Sequence, residues 1–295
     1  MMFRYVVSVI VLSVVVTLLW NTFAVPRSSC RQVGLTVSPK DVASWQGIAD
    51  DCFNVFLDVG SNIGVHGRFL FEPEKYPKAR VAREKFQKTF GNTSTRRSNT
   101  CVFAFEPNPS HKEHQLLTQT SYAAMGWRYH YIPMGVGTRN ATLNFYKNRD
   151  VGKGARREEW GFSTIKRGKA DERIEVAVLD LSEWLQRLFR RRLPPADPSW
   201  GQPKVLMKMD VEGMEVSLIP HLLIKGVLCN VYMFGELHGF GPYELANGIV
   251  IPNMEVRAWV ENINRILLAD GCPAVFEFLD DESYVHDGMP YPSPP

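Results

Sequence analysis

No two cysteines in this 295-residue chain are spaced as a metal-binding or redox pair: Cys30, Cys52, Cys101, Cys229 and Cys272 stand far apart, with no CxxC. A zinc site is therefore not expected, and in an oxidising compartment one or two disulfides would leave an odd thiol. Charge of one sign is equally scarce. The formal net charge is +3 and no strongly basic domain stands out, which gives no support to nucleic acid as a partner. There is no internal repeat and no low-complexity tract, and the GxGxxG spacing of a dinucleotide site is absent, as is an NPPY-like amine-acceptor motif. What remains is ordinary globular material, 45% hydrophobic and 22% charged, long enough for one large domain with a short appendage.

The appendage is at the front. After a tail of residues 1–4, Tyr5 to Val25 contains no ionisable group other than Tyr5 itself. As a helix it would be about 31 Å long, enough to cross a bilayer core of roughly 30 Å, with Trp20 near one interface. A cleaved signal peptide would use Thr22 and Ala24 as the small residues before the cut, but the apolar run is longer than a signal core usually is. Residues 5–25 are thus expected to be a signal anchor, 26–45 a Pro- and Ser-bearing stem, and 46–295 the domain. Arg4 on one side against Arg27 and Arg31 on the other gives only a weak charge bias. Sequons at Asn92-Thr93-Ser94 and Asn140-Ala141-Thr142 favour a domain in the lumen of the endoplasmic reticulum or Golgi.

Within the domain a helix is expected around Asp41–Asp51. Strands are expected at Asn54–Val59, Cys101–Phe105, Tyr129–Pro133, Ala141–Tyr146, Ile174–Leu179, Val205–Met209 and Val231–Glu236. Helices are expected at Gly64–Leu70, Pro109–Met125, Asp180–Arg191, Glu215–Ile224 and Met254–Asp270. Short apolar strands alternating with helices predict an α/β fold, a mostly parallel sheet covered on both faces. Two hydrophilic insertions, 73–99 and 147–173, read as solvated surface, although their place near the mouth of the expected site also suits a lid or a grip on an anionic substrate.

Three segments carry chemistry. In Phe56-Leu57-Asp58-Val59-Gly60-Ser61-Asn62-Ile63-Gly64, a buried strand ends in an acid and the chain turns at glycine, which lets backbone N–H groups approach a ligand. An acid at that strand tip would repel a pyrophosphate and attract a cationic aminoacyl group. In Phe105-Glu106-Pro107-Asn108-Pro109, a carboxylate at the end of the second strand is placed to accept two ribose hydroxyls; capping of the next helix is the competing role. Glu106 follows Asp58 by 48 residues, against the usual ~20, and the 73–99 insertion accounts for the excess. In Lys208-Met209-Asp210-Val211-Glu212-Gly213-Met214-Glu215, three carboxylates are crowded at a third strand tip, with Glu215 placed to accept helix N–H groups.

With these in order, the chain resembles the FkbM family of methyltransferases, from about Asn54 to Asp281. The resemblance rests on FLDVGSNIG, FAFEPNP, the GFSTI turn before VAVLDLSEWL, and KMDVEGMEVSLI. It implies a class I methyltransferase, Rossmann-like sheet whose last strand is antiparallel, with Val275–Leu279 contributing to that ending. It implies S-adenosylmethionine as cofactor and O-methylation of a sugar, glycan or other hydroxyl-bearing small molecule. By the same likeness Asp58, Gly60, Ser61, Asn62, Gly64, Glu106 and Asn108 would form the cofactor site, and Asp210 would lie near the transferred methyl. Transfer to an alcohol calls for a general base, and Asp210, Glu212 and His238 are the candidates, with Glu236 placed to orient His238 or bind a sugar hydroxyl. A structural histidine at a strand end is the competing reading of His238. No metal ligand set is assigned. A non-catalytic scaffold and a nucleotide-dependent oxidoreductase are the alternatives, the second disfavoured by the loop sequence.

Overall fold

The structure, a computed structural model, describes residues 49–147, 162–164, 172–192, 194–195, 198–238, 243–244, 250–251, 253–272, 276–279 and 288–293. All of them belong to one compact unit, Val37–Pro295. The proposed membrane segment, the stem and residues 41–48 of the expected first helix lie outside the described residues, and residues 49–51 form a turn. Among the described residues no helix is long and apolar enough to cross a membrane.

In chain order the elements are β1 (Asn54–Val59), α1 (Val65–Phe71), α2 (Arg80–Phe90), α3 (Thr93–Asn99), β2 (Thr100–Phe105), α4 (Lys112–Ala124), β3 (Arg128–Ile132), β4 (Gly135–Gly137), β5 (Ala141–Lys147), β6 (Glu172–Asp180), α5 (Leu181–Arg191), β7 (Val205–Met209), α6 (Glu215–Ile224), β8 (Tyr232–Gly235), β9 (Tyr243–Glu244), β10 (Val250–Ile251), α7 (Asn253–Ala269) and β11 (Phe276–Phe278). The central sheet has six strands in the order β11-β8-β7-β1-β2-β3, all parallel. β1, β2 and β7 are buried along their whole length, which explains their unbroken apolar sequences: a central parallel strand has no solvent face.

Alternation along β1 sorts the core into two layers. Val55, Leu57 and Val59 pack with Leu181, Leu185 and Leu188 of α5, with Leu218 and Leu222 of α6 and with α7. Phe56 packs on the other face with Phe69 of α1, Phe86 of α2 and Phe234 of β8. A smaller sheet, β4-β6-β5, lies between β3 and α5 in the chain; β5 runs antiparallel to β6, and a bridge from Tyr146 to Ser163 extends its edge.

Two expectations are corrected. Residues 73–99 are not a solvated insertion: α2 buries Ala82, Phe86 and Phe90, and α3 buries Arg96. Apolar residues at a spacing of four make one face of α2 a core face although its composition is charged. The buried Arg96 guanidinium donates to Leu70 O at 2.9 Å, Gly91 O at 2.9 Å and Thr93 Oγ1 at 3.1 Å, which offsets part of the desolvation that lowers its pKa to about 10. The antiparallel last strand is also not found among the described residues. β11 runs parallel to β8, because α7 carries the chain back along the sheet before it enters, whereas a hairpin would have reversed it.

The cysteines resolve into two disulfides, Cys52–Cys101 and Cys229–Cys272, with Cα separations of 5.5 and 4.8 Å. Cys30 lies outside the described residues.

Candidate functional site

The tips of β1, β2 and β7 are laced together before any ligand is considered. Gly60 and Ser61 N–H donate to Phe105 O at 3.0 and 3.1 Å, and Asp210 N–H donates to Val59 O at 3.0 Å. Gly60 has φ +77°, and a Cβ there would lie 1.7 Å from Asp210 O, so only glycine permits the β7 tip to pass this close. Gly64 opens α1 at φ +82°, and a Cβ there would lie 2.5 Å from the Tyr129 hydroxyl. Both glycines are therefore required by packing as well as by dihedral angle.

Glu106 is the best-positioned acid. Its Oε2 accepts from Asn62 N–H at 2.7 Å and its Oε1 from Asn108 N–H at 2.8 Å, while His111 Nδ1 lies 3.3 Å from Oε1. Two backbone donors fix the carboxylate at the tip of β2, at the wall of a cleft. Gly60, Asn62, Asp210 and Glu212 line the same cleft.

The structure separates other expected cofactor residues from it. Asp58 is fully buried on the Phe56 face, beneath the loop, and is not among the residues lining the cleft. The period of two along β1 puts it there, one layer behind the residues that line the cleft. Burial pushes its carboxyl up to about 7, against the pull of the nearby Lys208 ammonium. Ser61 accepts from Gln115 Nε2 at 2.8 Å, behind the loop. Asn108 caps the short 3-10 turn Pro109–His111 by accepting from Ser110 N–H at 3.0 Å. With Gly64, these residues build the wall of the site without lining it.

The three base candidates do converge. His238 Nε2 lies 3.5 Å from Asp210 Oδ1, 3.7 Å from Glu212 Oε1 and 3.7 Å from Glu236 Oε2. Its Nδ1 lies 3.2 Å from Glu215 Oε1, so the orienting acid is Glu215 and not Glu236. Glu215 is itself held by Val211 and Gly213 N–H, each at 2.8 Å. Burial works against the imidazolium, but Glu215, Glu212 and Asp210 outweigh it and raise its pKa to about 9. On the Asp210 carboxyl, burial is opposed by Lys208 and His238, and the net effect holds it below the usual carboxylate range. Lys208 donates to Asp210 Oδ2 at 2.8 Å and to Gly60 O at 2.7 Å, tying the β7 tip to the loop.

Ligand atoms of Asp210, Glu215 and His238 lie within 4.8 Å of one another, the spacing of a metal site. Both Glu215 oxygens already accept backbone N–H groups and Asp210 is held by an ammonium group. The trio also forms a hydrogen-bonded charge network with the His238 ring.

The sequence did not single out the apolar side of the cleft. Met134, Val136, Phe145, Phe162 and Met214 line it, with the Phe145 and Phe162 rings stacked at 5.2 Å. Phe162 belongs to the GFSTI turn, a signal present in the sequence without a role attached to it. His111 sits outside every motif, and no pattern pointed to it.

Residues 58–268 match the family model described as the methyltransferase FkbM domain. A solved structure, the methyltransferase FkbM from Methylobacillus flagellatus KT, matches at 13% identity and a TM-score of 0.29, over 60% of this chain and 31% of that one. None of the curated proteins matches.

Proposed function

The chain belongs to the FkbM methyltransferase family, and from that premise we propose that it moves the methyl group of S-adenosylmethionine to a hydroxyl oxygen of a sugar, glycan or related small molecule. The observation that carries the reading is Glu106: a carboxylate with both oxygens fixed by loop N–H groups, in the cleft that Asp210 and Glu212 also line, with His238 behind them in contact with both acids. The residues fit the cofactor. Glu106 suits paired ribose hydroxyls, the apolar wall at Met134, Val136 and Phe162 suits a base, and the acids at Asp210 and Glu212 suit a cationic sulfur and ammonium. When bound, the cofactor supplies a methyl on positively charged sulfur, a leaving group that departs neutral.

The chain's own work is alignment, charge and proton removal. In an in-line displacement the loop at Gly60–Asn62 and Glu106 hold one reactant, so that the acceptor oxygen, methyl carbon and sulfur fall on a line. As the oxygen–carbon bond forms and the carbon–sulfur bond breaks, the hydroxyl proton must leave. His238 Nε2 is the acceptor for it, with Glu215 fixing the ring through Nδ1. In the resting site His238 holds a proton up to about pH 9. To accept the hydroxyl proton His238 must first have given its own proton to solvent, so the reaction should quicken as pH rises toward 9.

We further propose that the domain faces the lumen behind a membrane segment at residues 5–25. Two disulfides support an oxidising compartment. Of the two sequons, Asn92 is the better acceptor. It is exposed and engages through its side-chain oxygen, from Thr95 N–H at 2.9 Å, whereas the Asn140 amide nitrogen is occupied in a bond to Glu183 at 3.0 Å.

Calorimetric titration with S-adenosylhomocysteine tests the reading, using the full chain in detergent and the Glu106→Ala variant. Binding by wild type that is lost in the variant supports it. No binding by folded wild type removes it and favours the scaffold.

A further inference from the structure

Residues 288–293 have no part in the cleft, yet they are tied to the two helices that carry the cofactor loop. Arg68 of α1, 2% exposed, donates from Nη1 to Met289 O at 3.0 Å and from Nη2 to Pro290 O at 3.1 Å. Its Nε donates to Glu72 Oε1 at 3.1 Å, and its guanidinium carbon lies 4.6 Å from the centre of the Tyr291 ring. Lys75 Nζ donates to Pro290 O at 2.7 Å. On α4, Thr118 Oγ1 lies 3.4 Å from the Tyr291 hydroxyl. A buried guanidinium needs acceptors for its donors, and here the backbone carbonyls of this segment supply two of them.

The same two helices hold the loop. α1 begins at Gly64, and Arg68 N–H donates to Gly64 O at 3.3 Å. On α4, one turn before Thr118, the buried Gln115 donates to Ser61 Oγ at 2.8 Å and to Asn62 O at 2.6 Å, and accepts from Tyr129 O–H at 2.7 Å. Tyr129 closes the gap between the helices, filling the space a Cβ on Gly64 or Gly67 would take, each 2.5 Å from the tyrosine. From Tyr291 through Arg68 and Thr118 to Ser61 and Asn62 the contacts are continuous, and Asn62 N–H is the donor that fixes Glu106.

We propose that residues 288–293 act as a strap that positions the cofactor loop, by holding α1 and α4 at the spacing that keeps Gln115 on Ser61 and Asn62 and Asn62 N–H on Glu106. Its effect on loop order stands alone; its effect on ligand affinity rests on the cofactor reading above. These are positioning residues, since none is among the lining residues of the cleft.

Two measurements on the full chain decide it. Hydrogen exchange without ligand reads the amides of Gly60, Ser61, Asn62 and Gly64, all hydrogen-bonded in the structure. Titration with S-adenosylhomocysteine reads the consequence. Deleting 288–295, or Tyr291→Ala if the deletion does not fold, should speed exchange at the loop about tenfold and leave the β7 amides protected. The dissociation constant should rise by a similar factor, within the roughly 5–150-fold usual for coupled sites. A synthetic peptide of residues 288–295 added in trans should restore both. Unchanged loop exchange in the folded variant overturns the proposal, and so does exchange that rises equally in β7, which would mark general destabilisation. If wild type binds no S-adenosylhomocysteine, the cofactor reading fails while the exchange result still decides the strap.

Discussion

Replacing Glu106 by alanine removes a carboxylate that two backbone donors already hold in place, so the ligand meets it without having to order it. In the proposed complex each carboxylate oxygen accepts one ribose hydroxyl. Hydrogen bonds to a charged group contribute about 1.5–3 kcal/mol each in net terms. Water enters the vacated space and recovers part of this, so a net loss of about 3 kcal/mol is the working figure, or roughly a hundredfold in the dissociation constant. Glu106→Gln sharpens the test. Its amide nitrogen must face either Asn62 N–H or Asn108 N–H, the two donors that now lie 2.7 and 2.8 Å from oxygen, so a donor meets a donor and the loop is pushed away. The glutamine variant should therefore bind nearly as weakly as the alanine one. The assay is calorimetry with S-adenosylhomocysteine on protein whose circular dichroism and melting are unchanged. A dissociation constant within threefold of wild type in both variants would refute the ribose assignment of Glu106.

His238, with a folded pKa of about 9 against 6.5, contributes stability that is full below pH 6.5 and is lost as pH rises through 9. Wild type should weaken from pH 7 to pH 10 in urea unfolding more than His238→Gln does, and equal slopes would count against the charge network. Asp58 has the opposite practical sign: a carboxyl raised from 3.8 to about 7 makes its ionisation a burden that grows as pH rises between those values. Asp58→Asn should gain on wild type between pH 5 and pH 8 by roughly 2–3 kcal/mol, and a gap that stays constant with pH would remove the burial argument. Luminal placement predicts an endoglycosidase-sensitive mass shift that Ser94→Ala abolishes and Thr142→Ala leaves intact; loss in the second variant alone would reverse the choice of sequon.

Much of the central fold was legible because buried parallel strands are short unbroken apolar runs. β1, β2 and β7 stand within a residue of where the pattern puts them, and Glu106 and Asp210 fall at or just beyond strand tips as their positions imply. α2 was hidden by composition: its core residues are outnumbered by Lys, Arg and Glu, and the spacing of Ala82, Phe86 and Phe90 had to be weighed above charge. The parallel entry of β11 was missed because direction depends on how α7 returns the chain, which no local pattern records.

The amino-acid sequence by itself determined which residue types arrive at the sheet's carboxyl edge, since strand ends follow from apolar runs and from the glycines and prolines that stop them. Which of those residues face the cleft was decided by tertiary contacts. Asp58 and Glu106 are both acids at strand tips. Yet Asp58 is sealed under α1 beside Lys208, while Glu106 is held at the cleft by Asn62 and Asn108. His238 and Glu215, 23 residues apart, meet through the adjacency of β7 and β8 in the sheet. Local sequence dictates conformation over a few residues, whereas the environment of a charge, and with it the proton it keeps or yields, is set by chain segments that only folding brings near.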